Sequence, residues 1–335
     1  MNIETAQRFR RLGTLTIFAV YFVILVGGIV RASGAGMGCP DWPTCFGQLI
    51  PPTSEAELPE NYHEIYAVGY SNTDFNVVKT WTEYLNRLTG VAIGILIFLT
   101  LWSSRAYLKT DKAVFYLSLA VFLLVGFQGW LGAMVVKSHL FPLMITAHML
   151  LALFIVALLI YAIARSQSGS LQQVNISQLP SKFKTVLIVA MGLTLIQVAM
   201  GTQVREAVDL IANEHKYIDR EYWRDSFPFI FYVHRSFSAI ILFTNLWLAW
   251  TIYQSVEKGN LLLRLAYALM GLIVTAILAG VSLDRLGMPP VAQPIHLLMA
   301  NLIFGAQFFI FICINYAAKS TSKSTVEVYT KETQS

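Results

Sequence analysis

Eight apolar runs dominate this 335-residue chain, and several exceed the ~18 residues needed to cross a bilayer. Inside lipid the backbone must satisfy its own hydrogen bonds, so such runs fold as helices or closed barrels. Runs this long are helical. They lie at about 12–31, 80–103, 113–136, 142–164, 185–205, 228–252, 264–283 and 291–317. The fold class is therefore an all-α integral membrane protein with eight transmembrane helices. Only 13% of residues are charged, about half the share of a soluble domain. The first run follows RFRR and ends in Arg31; it is longer than a signal-peptide core and reads as a retained helix.

Basic residues set the expected orientation. With the N-terminus in the cytoplasm, Arg8, Arg10, Arg11, Arg105, Lys109, Lys112, Arg165, Lys182, Lys184, Lys258 and Arg264 fall inside. Glu55, Glu57, Glu60, Glu64, Asp209, Glu214, Asp219 and Glu221 fall outside. The formal charge of +5 is then topological and does not call for nucleic acid. Both termini are expected in the cytoplasm, with a polar tail over 318–335 that reads as disordered. A long outer loop, 32–79, carries Cys39 and Cys45 into a compartment where thiols oxidise. A disulfide across five intervening residues is geometrically possible.

A repeat is hidden in the spacing. Asn86 and His148 are 62 residues apart, as are His234 and His296, so an offset of 148 superimposes the two halves. The same offset brings Arg87 onto Arg235, Tyr84 onto Tyr232, Trp102 onto Trp250, Gly132 onto Gly280 and Pro142 onto Pro290. GGIVR, ending at Arg31, resembles GTQVR, ending at Arg205. Together these matches imply a duplicated four-helix unit, that is, two pseudo-symmetric four-helix bundles over 1–165 and 185–317.

Bundle interiors hold cofactors between facing helices. His148, His234 and His296 would share one depth, ~10 Å below the outer ends of their helices at 1.5 Å per residue. His63, His139 and His215 lie in loops without that register. One intramembrane histidine can simply be a neutral ring bonded to a neighbouring helix; two at one depth on repeat-related helices point to ligation. Zinc or copper sites draw on three or four donors. Two opposed imidazoles suit a six-coordinate haem iron. Haem propionates need cations, and Arg205, Arg235 and Arg285 stand at the same face, where interface anchoring is the other reading. The first half keeps His148 but has Asn86 at the partner position, with Glu83 and Arg87 on the same helical face. Glu83 either pairs with Arg87 or points its carboxylate into a one-imidazole pocket.

The motifs GGIVRASGAGMGCPDWPTCFG, WTEYLNRLTG, TAHMLLALF, VHRSFSAIIL and QPIHLLMANLIFGAQ resemble the haem A synthase family of cytochrome oxidase assembly, over about residues 12–317. The resemblance implies oxidation of the C8 methyl of haem O to a formyl group through hydroxylated intermediates. It implies haem b on His234 and His296, beside which Arg205, Arg235 and Arg285 are expected as cofactor-binding residues from their place at the same face. The substrate haem O would meet His148, Asn86, Arg31 and Arg87, with Glu83 as the catalytic carboxylate. Family members often have histidine where this chain has Asn86. The resemblance also strengthens a redox-responsive reading of the Cys39–Cys45 loop; a plain staple is the alternative. Trp42 and Phe46 would then contact a porphyrin face or the bilayer surface. Candidate partners are haem O synthase (protohaem farnesyltransferase), cytochrome oxidase assembly proteins and membrane lipid in the cell inner membrane, and an oligomer is compatible. The rival functions are a membrane cytochrome b carrying electrons and a haem-transfer assembly factor without catalysis.

Overall fold

A computed structural model describes residues 3–66, 75–214 and 223–332. His215, Asp219 and Glu221 lie outside the described residues. Eight long helices follow one another: α1 (Ile3–Ala32), α2 (Val77–Ser104), α3 (Lys112–Lys137), α4 (Pro142–Arg165), α5 (Phe183–Glu214), α6 (Phe229–Ser255), α7 (Leu261–Arg285) and α8 (Ala292–Glu332). Each contains a stretch long and apolar enough to span a membrane. Their starts are chemically marked. Asn76, Asp111 and Asn260 accept from the backbone N–H groups of Lys79, Ala113 and Leu262, and Pro142 stands at the first position of α4.

Three helices outrun the apolar segments that announced them. α1 begins nine residues earlier than expected, α5 continues nine residues past Arg205, and α8 runs through the tail expected to be disordered. Counting apolar residues measures the bilayer, whereas a helix stops only at a breaker. Neither glycine nor proline occurs after Gly305, so the nucleated helix propagates.

Neighbours follow the same order in each half. α1 packs on α2, α2 on α3, α3 on α4 and α4 on α1; α5 packs on α6, α6 on α7, α7 on α8 and α8 on α5. α8 also touches α1 and α4, which makes it central: half of its apolar window is buried, against 17% for α2. Two glycines permit its approach to α1. A β-carbon on Gly28 would lie 3.0 Å from Pro294, and one on Gly305 would collide with the Tyr21 hydroxyl. A Thr146–Thr202 hydroxyl contact of 2.8 Å joins α4 to α5.

Between α1 and α2 the chain forms a small separate core. Asp41 accepts from the backbone of Phe46 and Gly47, at 2.6 and 2.9 Å, and from the Thr44 hydroxyl. Cys39 and Cys45 are joined as a disulfide, with Cα atoms 4.8 Å apart. Phe46 packs edge-on against Tyr66 and Phe75, so it is an anchor of this core rather than a surface ring; Trp42 alone of the two is exposed.

Candidate functional site

Asn86, His148, His234 and His296 all lie within the first three turns of the even-numbered helices, hence at one end of the bundle. Each faces a glycine of the helix before it. A β-carbon on Gly132, Gly201 or Gly280 would sit 3.3, 3.3 or 3.2 Å from Cε1 of His148, His234 or His296, with Nδ1 the next nearest atom. The Nδ1–Cε1 edge of each ring therefore faces the neighbouring helix, and Nε2 lies more than 4 Å away from that position. Gly27 stands in the same relation to Asn86, whose Oδ1 is 4.0 Å from the equivalent point.

His234 and His296 approach each other with ring centroids 6.2 Å apart and planes inclined by 72°. A metal between them, bound by two imidazole bonds of about 2 Å, with each ring centre roughly 1.1 Å behind its nitrogen, requires a separation of about 6.2 Å. His296 Nδ1 lies 2.9 Å from the Ala276 carbonyl. A carbonyl only accepts, so Nδ1 carries the proton and the Nε2 lone pair is free to ligate. Among the described residues no three His, Cys, Asp or Glu side chains converge, so this is a two-imidazole arrangement and not a three-ligand metal cage. The residues present fit a haem iron.

Apart from Arg87, the arginines of the candidate site fall into two groups. Arg224, Arg235 and Arg285 all reach the nearly buried carboxylate of Asp284, at 3.2, 3.4 and 3.3 Å. Three positive charges against one negative leave an excess suited to carboxylates beside the His234 helix. Arg31 and Arg205 share Asp209, the first at 2.8 Å, and Arg205 also donates to the Arg31 carbonyl and to Gln293. This knot ties α1 to α5 across the two halves. Sequence reasoning missed Arg224 and Asp284 as site residues; it also left out Asp209, although its i, i+4 spacing from Arg205 was readable.

In the first half Glu83 is buried and pairs with Arg87 at 3.0 Å. Arg87 spends its remaining donors on loop carbonyls: Asp41 at 2.7 Å, Thr44 at 3.0 Å and Cys39 at 3.1 Å. Thr80, one turn before Glu83, donates to the Gly38 carbonyl at 2.9 Å. One face of α2 thus carries the disulfide loop directly above Glu83. Of the two alternatives for Glu83, the ion pair is present. Among the described residues no hydrogen bond joins Glu83 to His148. An Arg87→Met substitution is expected to cost about 3–5 kcal/mol, because it strands a buried carboxylate and three carbonyls. Thermal denaturation in detergent would register it as a lowered Tm; an unchanged Tm would contradict the hub role.

The family model of the COX15-CtaA cytochrome oxidase assembly proteins matches residues 10–308. The chain belongs to the COX15-CtaA family. A heme A synthase of Shewanella oneidensis is 33% identical over 153 residues, covering 46% of this chain and 44% of the relative. One from Granulibacter bethesdensis is 32% identical over 152 residues, covering 42% and 40%. The chain thus spans under half the length of these two. A heme A synthase of Methylobacterium nodulans is 25% identical over 320 residues, covering 85% and 86%. The COX15-CtaA match encloses every histidine and arginine of the candidate site.

Proposed function

We propose that the protein is a haem A synthase, an oxidoreductase that converts the C8 methyl of haem O to a formyl group through hydroxylated intermediates. The observation that carries this is the inequality of two otherwise corresponding sites. One offers two imidazoles at haem-spanning distance. The other offers a single imidazole, an amide and a buried carboxylate. A membrane cytochrome would need only the first; a reaction on haem needs a second haem held beside a reactive group.

In this reading His234 and His296 hold haem b, which supplies one-electron transfer when bound. The Arg224, Arg235, Arg285 and Asp284 cluster receives its propionates. His148 holds the substrate haem O on one side. Taking the methyl to a formyl group with one water (R–CH3 + H2O → R–CHO + 4 H+ + 4 e−) passes the electrons to an external acceptor, develops positive charge at that carbon and releases protons. The Glu83 carboxylate stabilises the charge and accepts a proton. Arg87 pairs with Glu83 and fastens it beneath the loop, and the Cys39–Cys45 disulfide stiffens that cover. Metal-binding belongs to this proposal, as do placement in the cell inner membrane with cytoplasmic termini and a handover of haem O from its synthase.

Expression in a cell lacking its own haem A synthase, but supplied with haem O, tests the reading. Haem A should reappear in the membranes. Accumulated haem O with full expression of the protein would contradict it.

A further inference from the structure

The three imidazoles are seated in one repeated way that the proposed chemistry leaves unexplained. A β-carbon placed on each of the facing glycines, Gly132, Gly201 and Gly280, would lie 3.2–3.3 Å from the ring edge, inside the ~3.5–4.0 Å optimum for carbon pairs. Other glycines of the same helices have open surroundings: Gly126 and Gly129 in α3, Gly192 in α5 and Gly271 in α7 have nothing within 4 Å. Glycine is a poor helix former, so a glycine meeting only a histidine ring has a reason other than helix stability. The residue one turn earlier supplies a second hold. Gln128 Nε2 donates to the His148 carbonyl at 2.9 Å, and Gln197 Nε2 to the His234 carbonyl at 3.0 Å. In α7 the position is Ala276, whose own carbonyl meets His296 Nδ1 at 2.9 Å. Each histidine is therefore held from one face of the preceding helix, His148 and His234 by their backbone carbonyls and His296 by its ring.

We propose that Gly132, Gly201 and Gly280 are positioning residues for haem ligation, each giving its facing imidazole the room to turn Nε2 away from the helix wall. This rests on the haem reading above. Gln128, Gln197 and Ala276 fix the same histidines at a second point. A methyl at these glycines obliges the ring to shift by a few tenths of an ångström while leaving the ligand, the charges and the helix in place. At the fourth position Gly27 faces Asn86, whose amide Oδ1 lies 4.0 Å from the equivalent point.

The test compares two alanine substitutions within one helix. Wild type, Gly280→Ala and Gly271→Ala are purified as expressed, and haem-to-protein ratio, low-spin absorption spectrum and haem midpoint potential are measured. Gly271→Ala should match wild type. Gly280→Ala should retain haem about tenfold more weakly, with a shifted spectrum and potential in what remains, as for other residues that orient a metal ligand. Gly201→Ala against Gly192→Ala repeats the comparison on α5. Helix content by circular dichroism should be equal throughout, since alanine is the better helix former. Glycine-seat variants indistinguishable from their open-position controls would overturn the inference. So would misfolding of Gly280→Ala combined with an unaltered Gly201→Ala. A wild type that carries no haem would instead remove the proposed function, and this inference with it.

Discussion

His296→Ala protein is expected to purify folded but without its low-spin haem b. The reasoning is geometric. Two imidazoles 6.2 Å apart form a site that neither supplies alone, and the described residues provide no third histidine, thiolate or carboxylate to substitute. Loss of an outer partner of a metal ligand costs roughly 10–100-fold, and loss of the ligand itself should exceed that. The Ala276 carbonyl would lose its donor as well, a minor effect beside the vacated ligand position. Optical spectroscopy of the purified variant, with circular dichroism as the folding control, reads the result directly. Retention of a full low-spin spectrum would show that the haem sits elsewhere.

Glu83→Gln is the second large effect. The substitution keeps shape and hydrogen-bonding capacity but removes the negative charge and the proton acceptor. Haem b should remain bound, since His234 and His296 belong to the other half. Formation of oxidised haem O products should fall by about 10²–10⁴, the range for a positioned general base. One confounding route runs through Arg87, which would lose its ion-pair partner and loosen the loop. Arg87→Met separates the two, because it breaks the same pair yet keeps the carboxylate. A catalytic Glu83 makes Glu83→Gln inactive and leaves Arg87→Met, although destabilised, partly active. Equal activity of Glu83→Gln and wild type would take Glu83 out of the reaction.

Much of this architecture was legible in the chain itself, for physical reasons that also explain the gaps. Apolar runs must be helical in lipid, so the eight spans followed from length and hydropathy. The ends of α1, α5 and α8 did not, because helices continue into water until something stops them. The shared depth of His148, His234 and His296 came from spacing alone. Their glycine seats did not, because a glycine facing a ring and a glycine facing lipid look alike in sequence. Gly132 and Gly280 matched under the repeat, yet only the packed structure distinguishes them from Gly129 and Gly271. The meeting of Arg224 with Arg235 and Arg285 on Asp284 depends on a turn before α6 folding back over α7, which local patterns do not encode. Phe46 was misplaced for a similar reason: its aromatic partners Tyr66 and Phe75 lie far along a loop with no periodicity.

Asn86 distinguishes this chain from a protein with four matching ligands. An amide beside Gly27 occupies the slot that holds an imidazole in the other three seats. In the proposed reading the substrate haem is therefore held by His148 alone, more weakly than haem b, as befits a group that must enter, react and leave.

The most direct measurement is mass spectrometry of haems extracted from the purified protein after aerobic co-expression with a source of haem O. The account expects haem b together with haem A or its hydroxylated intermediate. Haem b accompanied only by unaltered haem O would contradict it and leave a carrier in place of an enzyme.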